Sequence, residues 1–178
     1  SLKRVYEKNP GGSISLITET YYIRDASGNI MATYTLKNQE FRLNELHLYG
    51  SSRLGLVESN MLLNNASGPV NNPLPPDEVE FYRGKKRYEL SNHLGNVLAV
   101  DSDKRTLVCI SGTQYYEAEI ISASDYYPFG MQINERSWSV NGYRYGFNGY
   151  EKIDEIKSLG NSYDFGARIY DPRLGRFF

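Results

Sequence analysis

The sequence reads as all-β, a run of tandem antiparallel β-hairpins with at most one short helix near residues 150–159. Three observations say so. Sixteen tyrosines stand beside seven phenylalanines and one tryptophan. Tyrosine suits strands and half-buried surfaces, where the ring packs and the hydroxyl meets water or a partner. Sixteen glycines supply tight bends, and short runs of period-two alternation lie between clusters of Asn, Asp, Ser and Gly.

Taken in order, the turn signal Asn9-Pro-Gly-Gly12 precedes a short alternating stretch at 14–17. Residues 19–25 read as a strand carrying Tyr21, Tyr22 and Ile23. Asp25-Ala-Ser-Gly28-Asn29 is a turn, with an Asx-type cap and a glycine for positive φ. Residues 30–35 resume as its hairpin partner. Residues 41–49 form another strand, followed by Gly50-Ser-Ser-Arg-Leu-Gly55 as a turn. Residues 64–77 hold four of the seven prolines and four asparagines, the signature of an exposed surface loop. The same style resumes beyond it, so the loop interrupts a domain without dividing it.

Residues 79–90 read as a strand region with Phe81, Tyr82 and Tyr88. Ser91-Asn-His-Leu-Gly95-Asn96 is a turn and 97–100 a strand. Asp101-Ser-Asp-Lys104 reads as a further hairpin loop, with 106–110 returning. Residues 115–121 set Tyr115, Glu117 and Glu119 against Tyr116, Ala118 and Ile120, the pattern of a half-solvated strand. Tyr126-Tyr-Pro-Phe-Gly-Met131 is an aromatic corner, and Tyr143-Arg-Tyr-Gly-Phe-Asn-Gly149 repeats its flavour. Residues 150–159 place Tyr150, Ile153 and Ile156 at three-residue spacing, the helical candidate, with Gly160 to end it. A strand is the alternative there. One degenerate unit recurs at irregular intervals: an aromatic strand, a polar turn ending in glycine, a strand. It appears at Tyr22/Asp25/Gly28, Tyr49/Gly55, Tyr88/Asn92/Gly95 and Tyr170/Asp171/Gly175.

Composition limits the function classes. The chain has 178 residues, the size of one domain or a piece of a larger one. Twenty basic and twenty-one acidic residues leave a net charge of −1, against the basic excess a nucleic-acid binder carries. No run of about eighteen apolar residues predicts a membrane-spanning helix. Cys109, the only cysteine, lies in Thr106-Leu-Val-Cys-Ile110 and reads as a small buried hydrophobe. His47 and His93 have no Cys or acid at ligand spacing, so neither a metal nor a cofactor is expected. Gly146-Phe-Asn-Gly149 lacks the lysine of a phosphate loop, and no serine carries the glycines of a hydrolase elbow. The tyrosines could line a sugar-binding surface, although their strand spacing favours cross-strand packing.

The residues then resemble a known family. Tyr22-Ile-Arg-Asp-Ala-Ser-Gly-Asn-Ile30, Leu48-Tyr-Gly-Ser-Ser-Arg-Leu-Gly55 and Leu90-Ser-Asn-His-Leu-Gly-Asn-Val97 resemble Rhs, or YD-repeat, proteins. Tyr126-Tyr-Pro-Phe-Gly-Met131, Tyr145-Gly-Phe-Asn-Gly149 and the block Tyr163-Asp-Phe-Gly-Ala-Arg-Ile-Tyr-Asp-Pro-Arg-Leu-Gly-Arg-Phe177 are similar to the Rhs repeat-associated core, in a Bacteroidetes style. The resemblance implies a curved sheet, part of a shell or barrel, with YD-repeat-like strands over 1–125 and the core's terminal block over 126–178. It implies a structural shell-and-plug segment of a secreted polymorphic toxin that encapsulates or presents a C-terminal effector. The implied partners are the remainder of the same polypeptide, its toxin cargo and secretion-system components. The implied location is secreted or on a bacterial cell surface.

In many such proteins the core is also a self-cleaving aspartyl protease. Asp171 matches its first aspartate and Arg168 the arginine before it; the second aspartate falls beyond Phe178. Aspartyl catalysis needs two carboxylates sharing one proton, so this segment alone is not expected to cleave. An ordinary turn role for Asp171, and pairing or stacking for Arg168, are the plainer readings. A cell-surface adhesion or glycan-binding β module is the remaining alternative. The elaborate block ending at Phe178 reads as a point where a larger polypeptide was cut or truncated, with its outer strands expected to pair beyond this segment.

Overall fold

A computed structural model describes residues 1–10, 12–65, 68–69, 82–140, 142–154 and 160–178. They are nearly all β, in antiparallel sheets, as expected. The chain packs as two compact units. The first is Ser1–Leu48 with Leu56–Lys85, the second Tyr49–Gly55 with Lys86–Phe178.

In the first unit β1 (Leu2–Lys8), β2 (Ile14–Arg24), β3 (Ile30–Lys37) and β4 (Glu40–Tyr49) form an antiparallel meander. β5 (Arg53–Asn65) contributes its later residues, and the short β6 (Gly68–Pro69) pairs with its end. Register separates two faces, because residues directly opposite each other in a ladder point the same way. Leu2, Tyr21, Tyr34 and Leu43 line up across the strands, as do Arg4, Glu19, Leu36 and Phe41. On this face the Tyr34 and Phe41 rings stack with centroids 5.5 Å apart, and Tyr21 meets Phe41 edge-on at 5.9 Å. The opposite face carries Lys3, Thr20, Thr35 and Arg42 in one row and Tyr22, Thr33 and Glu45 in another. It is polar, yet Thr33 and Tyr22 are buried.

The second unit takes the start of β5 with β7 (Lys86–Ser91), β8 (Val97–Ile110), β9 (Thr113–Ala123) and β10 (Trp138–Ser139). A four-stranded sheet follows: β11 (Glu151–Lys152), β12 (Tyr163–Asp164), β13 (Ile169–Asp171) and β14 (Arg176–Phe177). Val97, Val100, Ile121, Tyr143, Tyr145, Ile153, Tyr163 and Tyr170 form the buried apolar set. Single 3-10 turns lie at Asn134–Arg136 and Phe147–Gly149. Of the helical candidate at 150–159, Glu151–Lys152 is strand, Asp154 is helical, and 155–159 lie outside the described residues. Most of the 64–77 loop also lies outside them.

Three local expectations are corrected. Asp101-Ser-Asp-Lys104 is no loop: β8 runs through it, with the register shifting between Asp101 and Arg105. The polar side chains are satisfied across the ladder. The Ser102 hydroxyl donates to Glu119 at 2.9 Å, and Lys104 Nζ reaches the same carboxylate at 3.1 Å. The real turn comes at Ser111-Gly112, both at positive φ. Cys109 is exposed, because the outer part of the β8–β9 hairpin has few covered residues. Arg53-Leu-Gly55 belongs to β5, and the turn before it closes earlier, where Gly50 N–H donates to the Ser52 carbonyl.

One backbone device recurs. Asp25 N–H donates to the Asn29 carbonyl at 2.9 Å and Gly28 N–H to the Asp25 carbonyl at 3.1 Å. Asn92 with Asn96, and Gly95 with Asn92, repeat both bonds at 3.0 Å. The same pair of bonds closes Asn9–Ser13, Tyr127–Met131 and Gly146–Tyr150. In each the fourth residue is a glycine at positive φ, Gly12, Gly28, Gly95, Gly130 and Gly149, between 70° and 90°. Each is a five-residue loop closed by a left-handed glycine, and in Gly146–Tyr150 the preceding Asn148 is left-handed too, at φ 50°. In two of them the first side chain adds an Asx cap. Asp25 Oδ1 accepts from Ser27 and Asn29 N–H, and Asn92 Oδ1 from Leu94 and Asn96 N–H, all within 3.0 Å.

Candidate functional site

The terminal block builds a compact aromatic site in the second unit. Tyr163 and Tyr170 face each other across β12 and β13, and Tyr170 is opposite Phe177 on β14. Phe147, placed by its 3-10 turn, stacks on Tyr170 at 6.0 Å and packs against Tyr126 and Tyr163. Phe165 stacks on Tyr150 at 3.7 Å and meets Phe177 edge-on. The hydroxyls reach backbone carbonyls: Tyr126 to Val97 at 2.8 Å, Tyr163 to Gly130 at 3.1 Å, Tyr170 to Phe129 at 3.0 Å. A buried phenol that must keep its proton is hard to ionise. Burial pushes Tyr126 up to about 12 and raises Tyr163 further; Tyr170 is raised by burial and then by Asp171. Burial lowers the Lys152 ammonium, and Asp154 opposes it.

Asp171 ends β13 with no exposed surface. Its Oδ1 accepts from the Arg173 backbone N–H at 3.0 Å and from Arg173 Nε at 3.1 Å, and its Oδ2 from Nη2 at 2.7 Å. The hydrogen bond to Asp171 raises the Arg173 pKa. Arg168 goes elsewhere, its guanidinium lying 4.2 Å over the Phe177 ring. The structure therefore ties Asp171 into its own turn through Arg173, and places Arg168 against an aromatic. Among the described residues no group of three or more His, Cys, Asp or Glu could hold a metal ion.

Sequence reasoning missed a buried ion pair. Arg53 Nε bonds both Glu89 oxygens at 3.0 Å, and Nη2 bonds Oε1 at 2.7 Å and the Gly149 carbonyl at 2.9 Å. The side chains are 10% and 2% exposed. Tyr143 donates to Glu89 Oε1 at 2.7 Å, and the guanidinium lies 3.9 Å over Tyr145. Burial opposes the Arg53 charge, but the Glu89 bonds prevail and its pKa is raised. Burial first, then Glu89, holds Tyr143 well above the usual phenol range. The partners are 36 and 54 residues apart, so no local pattern announces them. The nearest signal is Gly55, two residues beyond Arg53: a Cβ there would land on the Arg87 carbonyl oxygen, so β5 and β7 approach too closely for a side chain.

No protein-family model matches the chain. It is 27% identical over 179 residues to salivary gland surface protein 1 of Aedes aegypti, a match covering 100% of this chain and 4% of that protein. The chain thus spans about 4% of the length of the curated relative it matches. Among solved structures, TcdB2-TccC3 aligns with 98% of this chain and 9% of its own, at 18% identity and a TM-score of 0.36. No helix among the described residues is long and apolar enough to cross a membrane.

Proposed function

We propose that the chain is a wall segment of a long, secreted or surface-exposed Rhs/YD-repeat polypeptide. In this reading the rest of that polypeptide is its partner, and the wall shelters or presents a C-terminal effector. The observation that carries it is the repeated five-residue glycine turn. Two copies, at Asp25–Asn29 and Asn92–Asn96, fall on the motif residues of the family resemblance and share the same side-chain cap. A hairpin array built on one turn extends by repetition and needs no enclosed dry core. The two-faced meander of the first unit fits a wall, with Tyr21, Tyr34 and Phe41 on one side and Thr20, Thr33 and Thr35 on the other. The surface location draws support from the name of the Aedes aegypti relative, and the long parent from the 4% share.

Asp171 and Arg168 act in this reading as turn and packing residues. The test uses the longer native polypeptide under limited proteolysis. Segments C-terminal to this chain are expected to resist digestion in buffer and to become cleavable in denaturant. Digestion of those segments at the same rate in both conditions would overturn the wall reading.

A further inference from the structure

The β8–β9 hairpin outruns its neighbours. β7 last pairs with β8 at Ser102, and β10 with β9 at Ser122. Among the described residues the stretch 104–120 therefore has no strand partner but itself. No residue in it is buried, and Leu107, Ile110 and Tyr116 are more than half exposed. A two-stranded ribbon is marginally stable in water, and a free edge is a template for a further strand.

The two edges differ. β9 carries Glu117 and Glu119, and charges of this kind hinder the addition of a strand. β8 carries Lys104 and Arg105 near the base, then Thr106-Leu-Val-Cys-Ile110, with no charge, proline or glycine. The turn decides which backbone groups β8 offers. Ser111 and Gly112 are at φ 50° and 83°, as the commonest two-residue hairpin turn requires. Ile110 and Thr113 flank it as partners, so they exchange both bonds, and the ladder alternates from there. Thr106 and Val108 then bond inward to β9, while Arg105, Leu107 and Cys109 turn N–H and C=O outward.

We infer that a second copy of this chain docks on this edge, β8 against β8, antiparallel about a two-fold axis at Leu107. Leu107 then lies opposite Leu107 of the second copy, and Arg105 opposite Cys109 of the second copy. Each of the three outward-facing residues finds a partner for its N–H and its C=O. The basic residues of the two copies fall at opposite ends of the pairing, so like charges do not meet. Pairing through β9 would instead gather the acids of both copies in adjacent strands. Leu107 already faces Tyr116, so one face of the four-stranded β9-β8-β8-β9 sheet carries Tyr116, Leu107, Leu107 and Tyr116 in a single row. The two-fold closes the assembly at a dimer, whereas β8 on β9 of the next copy would leave free edges and continue. The inference does not rest on the wall-segment reading. Its plain competitor is a further strand of a longer polypeptide on the same edge.

The experiment measures the mass of the 178-residue chain in solution by light scattering and sedimentation over a concentration series. A concentration-dependent dimer is expected. Leu107→Lys sets like charges face to face on the axis and is expected to weaken the dimer at least about tenfold, with an unchanged far-ultraviolet CD spectrum. Ile120→Lys, on β9, is expected to leave it intact. Register is read from Arg105→Cys. Residues opposite each other in a bonded antiparallel pair are about 5.5 Å apart at Cα, within disulfide reach. Mild oxidation is expected to link position 105 of one copy to Cys109 of the other. Unmodified chain should not link, because its two Cys109 residues would lie about 14 Å apart. The link is also expected in the longer native polypeptide carrying Arg105→Cys. A monomer at all concentrations, an assembly that grows beyond two, a dimer undiminished by Leu107→Lys or lost with Ile120→Lys, or absence of the link in either chain would each overturn the assignment.

Discussion

Replacing Glu89 with alanine tests whether the buried ion pair holds the second unit together. The change strips three N–H···O contacts from Arg53 and leaves the Tyr143 hydroxyl without its acceptor. The guanidinium would stay over Tyr145, only 10% exposed. Water cannot screen a charge so placed, and breaking such a pair costs about 3–5 kcal/mol. That is a large part of the roughly 5–15 kcal/mol that stabilises a domain. Removing the charges together is different, because no uncompensated ion remains. An Arg53→Met/Glu89→Leu/Tyr143→Phe variant is expected to be more stable than Glu89→Ala alone. Urea unfolding followed by far-ultraviolet CD gives both values, and the single and pairwise variants of the three substitutions complete a triple-mutant cycle. A Glu89→Ala cost below about 1 kcal/mol, or a combined variant as unstable as the sum of its parts, would refute the reasoning.

Four further expectations follow from the geometry. Gly55→Ala is expected to cost about 3 kcal/mol or more, because its Cβ meets the Arg87 backbone, while Gly28→Ala, with φ 90° but open space, costs about 1 kcal/mol; equal urea midpoints would contradict this. Tyr126 has its folded-state pKa raised from 10.0 to about 12, so its stabilisation is complete below pH 10 and is lost as pH rises toward 12. Tyr126→Phe should flatten the fall in stability over that window, while Lys152, with its pKa lowered, acts in the opposite direction; an unchanged slope would count against the burial of the phenol. Asp171→Ala leaves a turn N–H without its acceptor and is expected to cost about 1–3 kcal/mol, whereas Arg168→Ala loses only an aromatic contact worth about 0.5–1 kcal/mol; the order of their denaturation midpoints checks it. Native protein should react with a thiol reagent at exposed Cys109 without denaturant, and reaction only after unfolding would show the β8–β9 hairpin to be covered.

The turn at Asp25-Ala-Ser-Gly28-Asn29 was legible because its bonds connect residues at most four apart, and the glycine is there for φ 90°. The same holds for Asn92 to Asn96. Asp101-Ser-Asp-Lys104 misled for the complementary reason. Its composition is that of a loop, but Glu119 on the neighbouring strand satisfies Ser102 and Lys104 within the ladder. Cys109 misled because an apolar run is buried only if something covers it, and the end of this hairpin is left uncovered. In the terminal block the aromatics signalled packing, while the partner of Asp171 was visible only in the fold, where Arg173 bends back onto it.

The amino-acid order by itself determined the antiparallel hairpin character and several of the glycine turns, since those depend on φ preferences and on hydrogen bonds between near neighbours. Tertiary structure alone decided that Arg53 meets Glu89 and that one face of the first unit is aromatic and the other polar. Those outcomes depend on strand register, where a shift of one residue exchanges the two faces, and register is set by all the paired strands together.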